Sequence, residues 1–301
     1  MYESLSPYVS DRTPTLVSSR IWPRIIVRGH QDVLICGANN EDTSFDRQRT
    51  TAKMIDSETL EICCFPGKDH VHHYALLIAY HLALNDIQQS SVIECNLPTK
   101  VDTMGVIEQS NLRSMGKVDT VVLGCVEDLV VPTDEQDQWE TGTSTANRLF
   151  AWKLFRRREG GVVSFLTCLF RPWGDILDTV VRALRHLNDV SCVLYTGKAG
   201  SLRPDDIPND MLVTGDISYV AGKRVTWDNV LEPAISAART SKVCRGINVT
   251  VMSPLVETDA WLNEWNGRAD WVDCEVGHAA EACHVSQMRF GYLNLISDNV
   301  A

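Results

Sequence analysis

Apolar residues come in short bursts along most of the chain, separated by polar or glycine-bearing breaks, and a few longer stretches repeat them at helical spacing. The bursts at Arg24–Arg28, Asp32–Cys36, Thr59–Phe65 and Ser91–Leu97 read as strands. Between the last two, a turn at Pro66–Lys68 leads into His70–Ile87, whose broad apolar face predicts a helix, so this stretch predicts a βαβ unit. Residues 1–20, rich in Ser, Thr and Pro, predict a loose arm, and Asn39–Thr51 a polar loop. A second run follows. Val118–Cys125, Gly161–Cys168 and Ser191–Thr196 read as strands, Asp175–Leu187 as an amphipathic helix, and Ala146–Arg158 as a helix or a hairpin strand. Further on, Met211–Val213, Val220–Val225 and Ile247–Met252 read as strands, and a helix begins at Thr258. Ala269–His284 is an apolar, helix-like run, and Gly291–Ile296 is the last strand. Strands alternating with helices imply an α/β fold with helices packed on the sheet faces.

Composition narrows the class. The 301 residues carry 28 Lys+Arg against 39 Asp+Glu, a net charge of -11, which argues against diffuse polyanion binding and so against nucleic acid as a partner. Hydrophobic residues at 44% and charged residues at 22% are those of a folded globular chain. The ten cysteines form no CxxC pair and several sit inside apolar runs, so they read as reduced thiols of an intracellular protein. The first twenty residues hold no apolar core of signal-peptide length. The longest apolar stretch, Tyr74–Leu84, is interrupted by His81 and is too short to span a bilayer. A soluble cytoplasmic protein with no membrane partner is expected.

Three segments carry chemistry. Tyr195-Thr-Gly-Lys-Ala-Gly-Ser-Leu202 is a glycine-bracketed turn after a strand, followed by Val213-Thr-Gly-Asp216; glycine lets backbone amides crowd an anion or a sugar. By itself it reads equally as a plain strand-to-loop turn. Trp271-Val-Asp-Cys-Glu-Val-Gly-His-Ala-Ala280 sets Glu275 in an apolar run, where a carboxylate needs a partner. Adjacent sugar hydroxyls would supply two donors; Arg268 or Arg289 would supply an ion pair instead. Leu293-Asn-Leu-Ile-Ser-Asp298 ends an apolar strand in a carboxylate, at the edge where open α/β sheets place ligands, or where a helix N-cap would stand. Other clusters read as structural. His70-Val-His-His73 is a solvated helix start rather than a metal site, Cys63-Cys64 are buried thiols, and Trp261 with Trp265 belong to core or subunit interface.

In order and spacing, these segments resemble the nucleoside phosphorylase and nucleosidase superfamily, which includes purine nucleoside phosphorylase and methylthioadenosine/S-adenosylhomocysteine nucleosidase. The matching motifs are Gly197-Lys-Ala-Gly200, Gly215-Asp216, Val249–Trp261, Val272-Asp-Cys-Glu275 and Ile296-Ser-Asp298, with Val118–Asp128 similar to the family's first strand. The resemblance divides the chain into an unassigned N-terminal α/β region, 1–115, and a nucleoside phosphorylase-like domain, 116–301. It implies a three-layer sandwich with a mixed central sheet, and cleavage of an N-glycosidic bond. Asp298 would protonate the leaving base and Glu275 would accept the ribose hydroxyls. Gly197, Lys198, Ala199 and Gly200 would lie on the nucleophile side, with Trp261, Cys274 and Asn294 around the substrate. A purine-type nucleoside or nucleotide is the implied partner and a homo-oligomer the implied assembly. No cofactor is expected, inorganic phosphate entering only for a phosphorylase.

The departures from the family pattern point to its chemistry. Tyr195 stands where hexameric phosphorylases place a phosphate-gripping arginine, which favours hydrolysis. Asn294 replaces an arginine of nucleosidases, Cys274 replaces a methionine, and Cys168-Leu-Phe-Arg-Pro-Trp-Gly174 replaces an early glycine motif. Leu129 falls where a nucleosidase carries its water-activating glutamate, with Glu127 and Asp128 adjacent to take that role. The chain ends three residues past Asp298, where relatives continue into a helix that helps close the site. Alternatives are a phosphorolytic enzyme, a non-catalytic nucleoside-binding protein, or a repurposed biosynthetic enzyme in which Lys198 and Arg171-Pro-Trp set a new specificity.

Overall fold

The computed structural model describes residues 2–29, 50–85, 91–130, 139–142, 147–238 and 242–301. The first twenty residues fold instead of forming a loose arm: α1 (Tyr2–Arg12) is followed by a 3-10 turn at Thr15–Ser18. Burial is the reason. Val9 packs with Leu77 and Leu255, and Val17 enters a cluster with Trp22, Ile25 and Leu60, so tertiary contacts override composition.

The expected βαβ unit is present. Strands β1 (Arg24–Gly29), β2 (Thr51–Met54) and β3 (Thr59–Cys64), helix α2 (Lys68–Leu84) and strand β4 (Val92–Asn96) build a sheet of order β2-β3-β1-β4. Strands β3 and β4 run parallel to β1, and β2 is an antiparallel edge at the end of the expected polar loop. The expected strand Asp32–Cys36 lies outside the described residues. A helix the pattern did not give, α3 (Lys100–Glu108), starts at a capping box between Thr99 and Asp102. Its Val106 and Ile107, with Phe65, Leu112 and Met115, enter the largest core alongside residues from the C-terminal half.

The rest of the chain forms β5 (Thr120–Gly124), β6 (Phe150–Arg156), β7 (Val162–Cys168), α4 (Asp175–Asn188), β8 (Cys192–Thr196), β9 (Lys198–Ser201), β10 (Leu212–Val220), β11 (Lys223–Thr226), α5 (Glu232–Ala238), β12 (Val243–Thr250), α6 (Asp259–Trp265), β13 (Trp271–Asp273), α7 (Val276–Val285), β14 (Arg289–Tyr292) and β15 (Asn294–Asn299). One sheet has the order β14-β8-β5-β7-β6, parallel except for edge strand β6, which settles Ala146–Arg158 as a hairpin strand. The apolar faces of α4 and α7 cover it, with Ile176, Val180, Leu184, Ala279 and Cys283 in the shared core.

Two strands break and change sheet. Beyond Gly197, β8 continues as β9, and beyond Leu293, β14 continues as β15; both join a second sheet, β11-β10-β12-β13-β9-β15. Because β10 also pairs with β15, this sheet closes into a ring around Ala199, Val213, Trp271 and Ile296. The fold is mixed α/β with mixed sheets, as expected. The apolar run Ala269–His284 splits into β13 and α7, with Glu275 at the junction.

The ring is tight at Gly215. Strand β10 bulges between Thr214 and Ile217, and a Cβ on Gly215 would lie 2.1 Å from the carbonyl oxygen of Gly246 on β12. Gly215→Ala must push these backbones apart, at a cost of about 1–3 kcal/mol. Chemical denaturation should show that loss, and an unchanged midpoint would mean the ring yields there freely. Among the described residues no helix is long and apolar enough to cross a membrane.

Candidate active site

The carboxyl ends of parallel strands β5, β7 and β8 bring Gly124–Glu127, Cys168–Gly174 and Thr196–Gly197 to one edge, the place where open α/β sheets hold ligands. The junction between β13 and α7 places Glu275, the N-cap residue of α7, near this edge. Its half-buried carboxyl lies close enough to the amides of Gly174 and Cys274 for them to favour its charged form. Burial, then the charge of Asp273, raises its pKa above the ordinary carboxylate range. Neither arginine offered by the sequence pairs with it: the Arg268 guanidinium is held by Glu264 at 3.3 Å. Asp273 is turned the other way, accepting from Asn248 Nδ2 at 2.9 Å, Thr250 Oγ1 at 2.7 Å and the Val276 amide at 2.8 Å. Tyr195 is buried beneath the glycine turn, its hydroxyl 2.8 Å from where a Gly197 Cβ would stand. Burial, then the charges of Glu275 and Asp273, keep it protonated and therefore a donor.

The glycine strand β9 links Glu275 to Asp298. Gly200 pairs with Val272 on one side and with Asp298 on the other. A Cβ there would meet the Asp298 Oδ2 at 3.2 Å and the side chains of Val272 and Val300 at 3.3 Å, so the missing side chain makes room for the carboxylate. Strand β13 runs antiparallel to β9, so Glu275, three residues beyond Val272, lies toward Gly197, about 10 Å along the strand direction. In register, therefore, Asp298 stands beside Gly200 and Glu275 lies toward Gly197, along the strip formed by β9. Lys198 is exposed on the Gly200 side of β9, and Cys274 is half-buried against the same apolar cluster as Val272.

The segment Pro254–Trp265 covers this face. Val256, Trp261 and Trp265 pack on Val249, Val251 and Val272, so Trp261 is part of a wall shared with Trp265. Next to Val256 in that segment is Glu257, partly buried, whose carboxyl has no hydrogen bond or ion pair among the described residues. Burial, then the charge of Asp298, pushes its pKa up to about 8. Asp298 itself is exposed, its Oδ1 accepting from Ser297 Oγ at 2.6 Å. The dry setting expected behind Asp298 is found instead at Glu257, which falls inside the Val249–Trp261 motif although the sequence pattern assigns it no role of its own.

Other expected site residues sit elsewhere. Asn294 is fully buried at the start of β15 with neither amide atom bonded, and Ala199 points its methyl into the ring. Neither side chain reaches the strip. Glu127, at the end of β5, accepts from Thr167 Oγ1 at 2.5 Å, and Leu129 beside it is 55% exposed. The side chain of Asp128 lies outside the described residues.

The N-terminal region reaches the same edge. Asp175 accepts the amides of Lys68 and Asp69 at 3.1 and 3.2 Å, while Asp69 accepts the Asp175 amide at 3.2 Å, so α2 and α4 cap one another. His278 Nε2 lies 2.8 Å from the same Asp69 oxygen. Burial lowers the His278 pKa, but the Asp69 hydrogen bond and the charges of Asp69, Asp175 and Asp178 outweigh it and raise the net value. The histidine run is not a solvated helix start. His70 and His73 are 5% and 2% exposed, and burial holds their pKa values down to about 4 and about 3. Among the described residues no group of three or more His, Cys, Asp or Glu is disposed to hold a metal ion.

No protein-family model and no curated protein matches the chain. Among solved structures it is similar to Campylobacter jejuni 5'-methylthioadenosine/S-adenosyl homocysteine nucleosidase, at 15% identity and TM-score 0.47 over 61% of this chain and 87% of that one. It is also similar to futalosine hydrolase of Helicobacter pylori strain 26695, at 13% identity and TM-score 0.47 over 60% and 88%. A third is purine nucleoside phosphorylase from Toxoplasma gondii in complex with immucillin-H, at 13% identity and TM-score 0.47 over 61% and 78%.

Proposed function

We propose that the chain is a divergent member of the nucleoside phosphorylase and nucleosidase superfamily that cleaves the N-glycosidic bond of a purine-type nucleoside or nucleotide, with water rather than phosphate as nucleophile. The observation that carries this reading is the strip on β9, which sets Asp298 beside Gly200 and Glu275 toward Gly197. Cleavage gives the sugar oxocarbenium character and loads negative charge onto the leaving base. Asp298 passes to the base a proton drawn from Glu257, which burial and the charge of Asp298 keep protonated. Glu275 accepts the sugar hydroxyls and faces the developing positive charge. Glu127 is the carboxylate at this edge assigned to activate water.

Two features support water over phosphate. The amide of Asp175, where a helix N-terminus would cradle a phosphate, already serves Asp69, and Glu275 lies close to the amide of Gly174 beside it. An anion entering there would also face Asp175, and Tyr195 offers one hydroxyl where a guanidinium would offer a fork. The test is chromatographic release of free base from adenosine, inosine, methylthioadenosine and AMP, with and without inorganic phosphate. Equal release in both conditions is expected. Strict phosphate dependence reverses the choice of nucleophile, and no release from any of the four overturns the glycosidase reading.

A further inference from the structure

Helix α1 belongs to the region that the sequence left unassigned, yet it ends beside the strip. Its Val9 packs on Leu77 and on Leu255, and Leu255 lies in the segment that walls the strip. The Arg12 guanidinium lies over the Tyr8 ring, 4.0 Å from its centroid, and the Tyr8 hydroxyl is 3.4 Å from His73 Nε2. His73 stacks on Trp173 at 4.2 Å and meets Ser253 Oγ through Nδ1 at 2.8 Å, while Trp173 Nε1 donates to the Met252 carbonyl at 2.8 Å. Four separate segments therefore converge on one spot. The Tyr8 hydroxyl there is close enough to feel Arg12, Cys274 and Arg171, and Cys274 precedes the sugar anchor Glu275.

We infer that Arg12, with Tyr8, forms a subsite for a phosphate group on the sugar, so that the substrate is a nucleotide and not a neutral nucleoside. The inference rests on the glycosidase reading above. Arg12 makes no ion pair among the described residues, and its Nε is buried without an acceptor, a donor left open to an anion. With His70 and His73 held neutral, the positive charge at this spot is carried by guanidinium groups, whose fork matches phosphate oxygens. Burial pushes the Tyr8 pKa up to about 12, so its hydroxyl stays a donor to the same group. The subsite lies on the α1 side of the strip, apart from the α4 amide taken by Asp69.

The test pairs binding with turnover on the full chain. Calorimetric titration with ribose 5-phosphate, ribose and inorganic phosphate should show ribose 5-phosphate binding at least tenfold more tightly than either. Arg12→Gln should cut the ribose 5-phosphate to ribose affinity ratio at least tenfold, and Arg12→Lys should restore part of it, with melting temperatures confirming the fold. The kcat/KM ratio of AMP to adenosine should fall by a similar factor in Arg12→Gln. Equal binding of ribose and ribose 5-phosphate, or an Arg12→Gln ratio like the wild type, overturns the subsite even where base is released. Inorganic phosphate binding as tightly as ribose 5-phosphate would overturn it in favour of a free-anion site. Arg12-dependent ribose 5-phosphate binding without base release from any nucleotide or nucleoside would keep the subsite and remove the glycosidase.

Discussion

Asp298→Asn is expected to lower kcat for base release by about 10²–10⁴-fold, the usual contribution of a positioned general acid, with little change in melting temperature. Asparagine nearly matches aspartate in shape and can still accept from Ser297 Oγ, the 2.6 Å contact of this side chain. An exposed residue with so few partners falls among substitutions that usually shift stability by less than about 0.5 kcal/mol. What the variant loses is a transferable proton at the Gly200 end of the strip. Single-turnover kinetics with thermal denaturation separate these effects. Undiminished turnover would remove Asp298 as the acid, and if Glu257→Gln then abolished it, the role would pass to the buried neighbour whose pKa stands at about 8.

Those two acids mark the limit of what the sequence could say. Strand β15 and the Ser297-Asp298 pair were legible because an apolar run with a terminal carboxylate is a local pattern. The βαβ unit and the turn at Gly197–Gly200 were legible for the same reason. Glu257 was not, because its neighbour Val256 packs on Val249 and Val272 from two distant strands, a setting no local pattern records. Asp69 was invisible in the same way, since its partner Asp175 lies 106 residues on. Helix α1 was misjudged because Ser, Thr and Pro are frequent across residues 1–20 while Val9 supplies its buried contact. The run Ala269–His284 was ambiguous on principle: a short buried strand and a buried helix are equally apolar, and periodicity alone does not divide Trp271–Asp273 from Val276–Val285. The Gly-Asp motif carries a further lesson, since Gly215 answers to the backbone of Gly246.

Glu275→Gln should produce the other large effect, and with an unusual pH signature. Burial and the charge of Asp273 raise the Glu275 pKa above its ordinary value of 4.5, so the free protein keeps part of this group protonated where a solvated glutamate is fully ionised. Two sugar hydroxyls need a carboxylate to accept them, and the oxocarbenium-like sugar needs its charge. Wild-type kcat/KM is therefore expected to climb with pH beyond the normal glutamate range. Glutamine offers one acceptor, a misplaced donor and no charge, so kcat/KM should fall on the order of 10²-fold and lose that rising limb. Stability runs the opposite way. A carboxyl with a raised native pKa binds more protons folded than unfolded, so its contribution declines as pH rises from 4.5 through the raised value. Glutamine cannot titrate, and the variant should gain stability over the wild type as pH increases while losing activity. Loss of both at every pH would show instead that Glu275 holds the starts of α4 and α7 together, and the sugar-anchor assignment would fall with it.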